Sequence, residues 1–143
     1  MRVLLAIALL TGCGAPEGDD RDVRWLDDDV FAADVQTILA DGCGNPSCHG
    51  RADRPFSVYS PGHWRENVDD TYLPGPISAR ELEHNYTVSC VLVSEADVPE
   101  ESLLLRKTLG EAAGVYHGGG AIFEDTTERD YRTLLQWVEG GWE

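Results

Sequence analysis

The feature that most constrains the fold of this chain is the segment 43–49, in which two cysteines are followed at once by a histidine. Four residues separate Cys43 from Cys48, and a glycine and a proline among them shape a loop. Before that loop, apolar side chains recur at helical spacing over residues 30–41. They are Phe31, Val35, Ile38 and Leu39. The pattern predicts an amphipathic helix, capped by an aspartate and ended by Gly42, with the thiols and the imidazole directly after it.

This segment has the chemistry for covalent attachment of haem. The usual attachment pattern is C-x-x-C-H, whereas four residues stand between the cysteines here. Each thiol can add to a haem vinyl group as a thioether, and His49 can reach the iron from the same side. A slightly larger loop between the two anchors is compatible with that chemistry. The sequence therefore predicts Cys43 and Cys48 as attachment residues and His49 as the proximal ligand of a haem c.

The start of the chain indicates export. Arg2 precedes an apolar run over residues 3–10, which is too short to span a bilayer and is typical of an export signal. The sequence Leu-Thr-Gly-Cys at residues 10–13 resembles the bacterial lipoprotein box, in which the cysteine is lipidated and becomes the first residue of the mature chain. We therefore expect a signal peptide over residues 1–12 and a lipid anchor on Cys13, which holds the protein in the cell envelope on its periplasmic or outer-membrane face.

The remaining chain has the length of one domain. Residues 13–29, rich in Gly, Pro and charge, are predicted to be a lipidated flexible spacer, and residues 30–143 a single domain. The formal net charge is -15, from 26 acidic and 11 basic residues. Such a charge argues against binding to nucleic acid or to anionic lipid headgroups. It is compatible with a simply solvated surface and also with a basic redox partner protein.

Three cysteines remain after lipidation, which leaves two models open. Haem attachment uses Cys43 and Cys48 and leaves Cys90, whereas a disulfide of Cys43 with Cys48, or of either with Cys90, also leaves one thiol free. The position of His49 favours haem, because a disulfide has no use for it. Cys90 lies in an apolar segment, 88–93, which is predicted to be extended, with Cys90 as a buried small hydrophobe.

Helices are predicted at both ends of the domain, with long irregular loops between. Residues 127 and 130, Thr and Asp, have the spacing of a capping box before the last helix. The apolar positions of that helix are Tyr131, Leu134, Leu135 and Val138. We expect this apolar face to pack across the first helix. Shorter helices are predicted over residues 79–84, opened by a capping box of Ser78 and Glu81, and over 102–107, closed by Gly110. The fold class is thus mainly α.

A second axial ligand for haem iron must be a histidine, since Met1, the only methionine, leaves with the signal peptide. His117 opens a run of three glycines before the last helix, where backbone can approach a flat ligand closely. We therefore predict His117 as the distal ligand. His63, beside a tryptophan, and His84, in a predicted helix, are expected to be surface or packing residues.

Four segments in this order resemble the cytochrome c-like modules of large exported bacterial proteins. They are the cysteine-histidine segment 43–50, the Pro-Glu-Glu-Ser-Leu-Leu segment in 99–107, the His-Gly-Gly-Gly loop in 117–123 and the Tyr-x-x-Leu-x-x-Trp helix in 130–140. The resemblance covers residues 31–141, nearly the whole mature chain. It implies a haem c domain with Cys43, Cys48 and His49 as attachment and proximal residues and His117 as the distal ligand.

The function expected from these patterns is electron transfer by a membrane-tethered, c-type cytochrome-like carrier, which is not an enzyme. Two imidazoles would leave the iron no open position for substrate. Two alternatives remain open at this stage. One is a haem-free, disulfide-stabilised surface lipoprotein that acts as a binding or interaction module. The other is a copper or zinc site made from His49, His117 and a cysteine.

Overall fold

Helices joined by loops, without strands, make up residues 22–142, the part of the chain that the computed structural model describes. The mainly helical fold class is thereby confirmed. The first helix, α1, has three consecutive parts, α-helical over Asp28–Val30, π-helical over Phe31–Val35 and α-helical over Gln36–Cys43. It is followed by α2 (Ala79–Ser94), α3 (Leu103–Leu109) and α4 (Arg129–Glu139). Short 3-10 turns occupy Val68–Asp70, Pro99–Glu101 and Gly110–Ala113. The predicted signal peptide and Cys13 lie outside the described residues.

The start of α1 confirms the predicted cap. A side-chain oxygen of Asp27 accepts a hydrogen bond from the backbone N–H of Val30 at 2.8 Å, which satisfies one of the free donors of the first turn. The predicted last residue, Asp41, is wrong by two residues, because the helix continues through Gly42 to Cys43. Cys43 is therefore held by helical backbone, while Cys48 and His49 belong to the loop.

The first and last helices pack against each other as predicted. The rings of Phe31 and Trp137 lie 5.2 Å apart between centroids, and the indole N–H of Trp137 donates to the backbone carbonyl of Asp27 at 2.8 Å. The buried residues of α4 are Tyr131, Leu134, Trp137 and Val138. Trp137 thus takes the core position expected for Leu135, which lies at the edge of the core.

The prediction of an extended segment over 88–93 is wrong, since those residues belong to the long helix α2. The Ser78–Glu81 capping box is confirmed, with both of its hydrogen bonds formed. The valines favour a strand locally, but helix spacing decides the outcome because it gives the segment one core-facing side. The core contacts on that side are Leu82, Tyr86, Cys90 and Val93. Cys90 is fully buried, as predicted, although in a helix.

The shorter helices begin differently from one another. The hydroxyl of Ser102 caps α3 by accepting from the backbone N–H of Leu105 at 3.4 Å. Gly110 ends α3 with a φ of 58°, a conformation that favours glycine. The predicted capping box of α4 is wrong, because Thr127 instead donates to Asp125 through its backbone N–H at 2.7 Å and its hydroxyl at 2.6 Å. The acid before the helix supplies a local turn, and α4 starts two residues later at Arg129.

Packing of the domain begins before residue 30. Leu26 is buried in the core, and the guanidinium of Arg24 donates to the backbone carbonyl of Gly141 at 2.7 Å. Part of the predicted spacer, residues 22–29, therefore joins the two ends of the domain. Within residues 22–142, none of the helices has both the length and the apolar character needed to cross a membrane.

Candidate functional site

The loop after α1 turns back on itself and brings both cysteines and the histidine together. The backbone N–H of Cys48 donates to the carbonyl of Asn45 at 2.8 Å, and that of His49 to the carbonyl of Cys43 at 3.2 Å. A side chain on Gly50 would collide with the backbone of Gly44, so this turn requires glycine. One tight turn therefore accommodates the extra residues between the cysteines and places His49 beside the end of α1.

His49 is held by the segment that follows it. Its Nδ1 lies 2.7 Å from the backbone carbonyl oxygen of Phe56, and its ring meets the Phe56 ring edge-on at 5.0 Å. Because a carbonyl oxygen only accepts, Nδ1 carries the proton in this contact and Nε2 keeps a free lone pair. Partial burial lowers the pKa of His49. The hydrogen bond to the Phe56 carbonyl opposes that effect, and the nearby charges of His117, Arg54 and Lys107 add smaller decreases, so that the net shift of the pKa is downward. The neutral ring, which is the form that binds metals, is thereby favoured.

His117 is held in the same way by its own loop. Its Nδ1 lies 2.7 Å from the backbone carbonyl oxygen of Gly120, whose N–H donates back to the carbonyl of His117 at 2.8 Å. Gly120 has a φ of 79°, so the turn depends on a glycine there. A Cβ on Gly119 would lie 3.6 Å from the His117 ring and 4.0 Å from the sulfur of Cys48. The glycine run predicted to carry a ligand thus lies directly beside the cysteine loop.

The two imidazole rings face each other across a short gap. Their centroids are 6.0 Å apart and their planes differ by 18°. A metal bound by two imidazoles lies in the plane of each ring, whereas these rings are stacked, as in ordinary ring packing. The rings would therefore have to turn before both could bind one metal. The more specific feature is that both rings use Nδ1 for a carbonyl and leave Nε2 available, the arrangement typical of metal-ligating histidines.

Two cavities meet at this histidine pair. The inner one, of about 160 Å³, reaches into the core and is lined mainly by apolar side chains, together with Cys43 and Lys107. The outer one, of about 470 Å³, is lined by Cys48, Arg54 and the glycines after His117. Ligand pockets have volumes of roughly 300–1,000 Å³, so a porphyrin needs both cavities and does not fit the inner one alone. With one cysteine in each cavity, the residues present fit a flat ligand anchored at two points.

The three described cysteines are free thiols. Cys43 is buried, and the loss of water around it, together with the nearby Cys48, raises its pKa to about 12. Cys48 is partly exposed at the outer cavity. Cys90 lies against Tyr86 in α2, and burial raises its pKa as well. The structure thus brings Cys43, Cys48, His49 and His117 together and assigns Cys90 to the core.

The remaining histidines lie outside the site, as predicted. Nε2 of His84 lies 3.0 Å from the hydroxyl of Ser57 and 3.1 Å from its carbonyl oxygen, and the His84 ring packs edge-on against Tyr59 at 4.9 Å. His84 therefore fastens the loop at residues 57–59 to α2. His63 lies in a turn in which its carbonyl accepts from the backbone N–H of Tyr72 at 2.8 Å.

A second buried polar cluster was not predicted from the sequence. Glu81 accepts from Arg65 Nε at 2.9 Å and Arg65 Nη2 at 2.8 Å, and from the backbone N–H groups of Glu66 and Ser78, each at 2.8 Å. Burial alone would raise the pKa of Glu81, but these bonds outweigh it and lower the pKa to about 2. Nearby, the amide of Asn85 bonds both to the carbonyl and to the N–H of Tyr59, each at 2.8 Å. The capping box identified Glu81, but no local signal in the sequence pointed to Arg65 or Asn85.

Across residues 22–142, no group of three or more His, Cys, Asp or Glu side chains is arranged to hold a metal ion. A copper or zinc site built from His49, His117 and a cysteine therefore gains no support from the arrangement of these side chains. A porphyrin brings four nitrogen ligands of its own and needs only an axial pair from the protein. Comparisons with family models, with curated proteins and with solved structures found no match to this chain.

Proposed function

We propose that this protein is a c-type cytochrome-like electron carrier, with haem c attached through Cys43 and Cys48 and ligated by His49 and His117. The observation that carries the proposal is the matched pair of imidazoles, each with Nδ1 at 2.7 Å from a backbone carbonyl and with its other nitrogen available. Neither a disulfide nor an ordinary turn would require two histidines with the same hydrogen-bond arrangement. Bound here, haem would supply a single electron, taken up and released by its iron.

Each residue has a defined role in this proposal. Cys43 and Cys48 would fix the porphyrin by thioethers, one from the end of α1 and one from the loop. The carbonyls of Phe56 and Gly120 would orient His49 and His117 and increase their basicity as ligands. The apolar inner cavity would exclude water, and together with two imidazole ligands it would set the potential. If His49 and His117 both bound the iron, no position would remain for a substrate, and the protein would act as a carrier and not as an enzyme.

The proposal extends to location and partner. The lipoprotein box at Cys13 would tether the carrier to the cell envelope, where haem c is attached to exported chains. The net charge of -15 would favour a redox partner with a basic docking surface and disfavour nucleic acid. Docking by opposite charges weakens as salt is added, so electron exchange with such a partner should slow at high ionic strength.

The direct test is the intact mass of the protein matured by a host that attaches haem c. We expect the mass of the chain plus one haem, retention of colour after acid-acetone extraction, and sharp α and β absorption bands on reduction. Cys48→Ala should lose one thioether, whereas Cys90→Ala, a matched control in the core, should keep both. A colourless wild-type protein whose mass is lower by two hydrogens would overturn the proposal in favour of the disulfide-stabilised binding module.

A further inference from the structure

Three large apolar side chains are exposed on one short stretch of the loop between α1 and α2. Val68 is 77% exposed, Tyr72 68% and Leu73 52%. They lie within and just after the 3-10 turn Val68–Asp70. We infer that residues 66–76, the docking loop, bind a protein segment that presents apolar side chains beside lysines or arginines. The docking loop shares no residue with the histidine site, so this inference stands apart from the proposed function.

The backbone at Tyr72 has a conformation that does not suit a tyrosine. The N–H of Leu73 donates to the carbonyl of Asp70 at 3.0 Å, which closes a turn over residues 70–73. Thr71 has a φ of -61° and a ψ of 132°, and Tyr72 has a φ of 66°, as in a type II turn. Glycine or asparagine is usual at the third position, because a bulky side chain is strained there. Since the ring of Tyr72 is mostly exposed, packing within the domain does not offset the strain, whereas contact with a partner would.

Hydrogen bonds to the rest of the domain hold the docking loop in one conformation. The backbone N–H of Tyr72 donates to the carbonyl of His63 at 2.8 Å. Nη2 of Arg65, which is paired with Glu81, donates to the carbonyl of Pro76 at 2.7 Å. A surface that is already ordered loses little entropy on binding, and exposed tyrosines are frequent anchors of protein interfaces. The loop therefore presents its apolar side chains ready for contact.

The charges of the docking loop decide which kind of partner it fits. Residues 66–76 include Glu66, Asp69 and Asp70 and no basic residue. Glu66 pairs with Arg80, while Asp69 and Asp70 are exposed next to the apolar side chains. Acids around an apolar contact favour a partner with lysine or arginine at the facing positions. A second copy of this chain, with the same acids and a net charge of -15, would be repelled, and so would anionic lipid.

The test measures the binding of two synthetic helical peptides of equal length to the full-length protein. Both peptides carry the same leucines on one face, and the opposite face carries lysines in one and glutamates in the other. We expect wild type to bind the lysine peptide, more weakly as salt is added, and not the glutamate peptide. Asp69→Asn combined with Asp70→Asn should raise the Kd for the lysine peptide about tenfold. Glu100→Gln with Glu101→Gln, which neutralises two adjacent exposed acids of another turn, should leave that Kd unchanged.

Tyr72→Gly separates a role in binding from a role in folding. It should raise the Kd for the lysine peptide by about tenfold or more, because it removes the aromatic anchor. Its urea midpoint should equal or exceed that of wild type, since glycine adopts a φ of 66° without strain. Tyr116→Gly, at a tyrosine that is 78% exposed outside the docking loop, should keep the wild-type Kd.

Several outcomes would overturn the inference. A lower urea midpoint for Tyr72→Gly would show that the ring serves the fold, and binding of neither peptide, or of both equally, would remove the proposed partner chemistry. Self-association in sedimentation, or binding to phosphatidylglycerol vesicles, that Tyr72→Gly abolishes would assign the loop to a second copy or to a membrane. His117→Ala should leave the peptide Kd unchanged, so failure of the haem site and failure of the docking loop are distinguishable.

Discussion

The Arg65–Glu81 pair and the His49–His117 pair are both partly or fully enclosed, yet the chain satisfies their polar atoms to different degrees. Both carboxylate oxygens of Glu81 accept two hydrogen bonds each, all from within the chain. Each imidazole of the other pair has one nitrogen bonded to a carbonyl, while its second nitrogen is left for a ligand. Saturated polar groups hold loops in place, whereas half-satisfied groups held in fixed positions are suited to binding.

The largest expected effect comes from breaking the saturated pair. Glu81→Gln leaves the guanidinium of Arg65 buried without its counter-charge, and removal of one partner from a buried ion pair costs about 3–5 kcal/mol. The folded-state pKa of Glu81, about 2, lies below its ordinary value, so its contribution is present at neutral pH and is lost as the pH falls from about 4.5 toward 2. Urea denaturation of wild type and variant at several pH values measures both effects.

A matched control is available on the surface. Glu66 pairs with Arg80, whose side chain is 82% exposed. Glu66→Gln removes the same charge but should lower the free energy of unfolding by less than about 1 kcal/mol, because exposed pairs contribute little. Equal losses in the two variants would show that the buried pair has no special role in holding the loops.

The next effect separates a structural histidine from a proposed ligand. His84→Ala removes the contacts to Ser57 and the packing on Tyr59, and we expect a loss of about 1–3 kcal/mol in the unfolding free energy of the apoprotein. His117→Ala removes one hydrogen bond at an accessible loop and should cost less than about 1 kcal/mol. Porphyrin binding should rank the two in the opposite order. The reverse ranking in stability would contradict a structural role for His84 and a ligand role for His117.

The smallest effect is a pH dependence at His49. Because its folded-state pKa is lowered, the unfolded chain binds a proton first as the pH falls, and the free energy of unfolding decreases through a window that starts near about pH 6.5. His49→Gln should flatten that slope between about pH 7.5 and 5.5, whereas wild type and variant should run parallel above it. A slope unchanged by the substitution would place its origin in other groups.

The sequence predicted elements that depend on local patterns. An aspartate cap before α1, the Ser78–Glu81 box and Gly110 as a stop each need only neighbouring residues, and each was confirmed. Residues 88–93 were assigned incorrectly because short apolar runs fit either a strand or a buried helix, and packing against the core decides between them. The box at Thr127 failed because Asp125 accepts the hydrogen bond from the Thr127 backbone N–H that Asp130 would have accepted.

The candidate site shows the same division. Its four side chains were predicted, because cysteine, histidine and glycine have few reasons to stand in that order. The backbone carbonyls of Phe56 and Gly120, which orient the two histidines, were not predicted, because a backbone acceptor has no signature in the sequence. Long-range polar contacts such as Arg65 with Glu81, 16 residues apart, were missed for a related reason, because loop paths determine them.

The burial of Cys43 at the end of α1 imposes an order in time on any reaction of its sulfur. Once the helices have closed around it, the thiol is protonated at every physiological pH and shielded from reagents in solvent. Cys48, in the more open loop, stays within reach afterwards. Chemistry at the first cysteine therefore belongs to the stage at which the chain is still open, before the helices have packed around it.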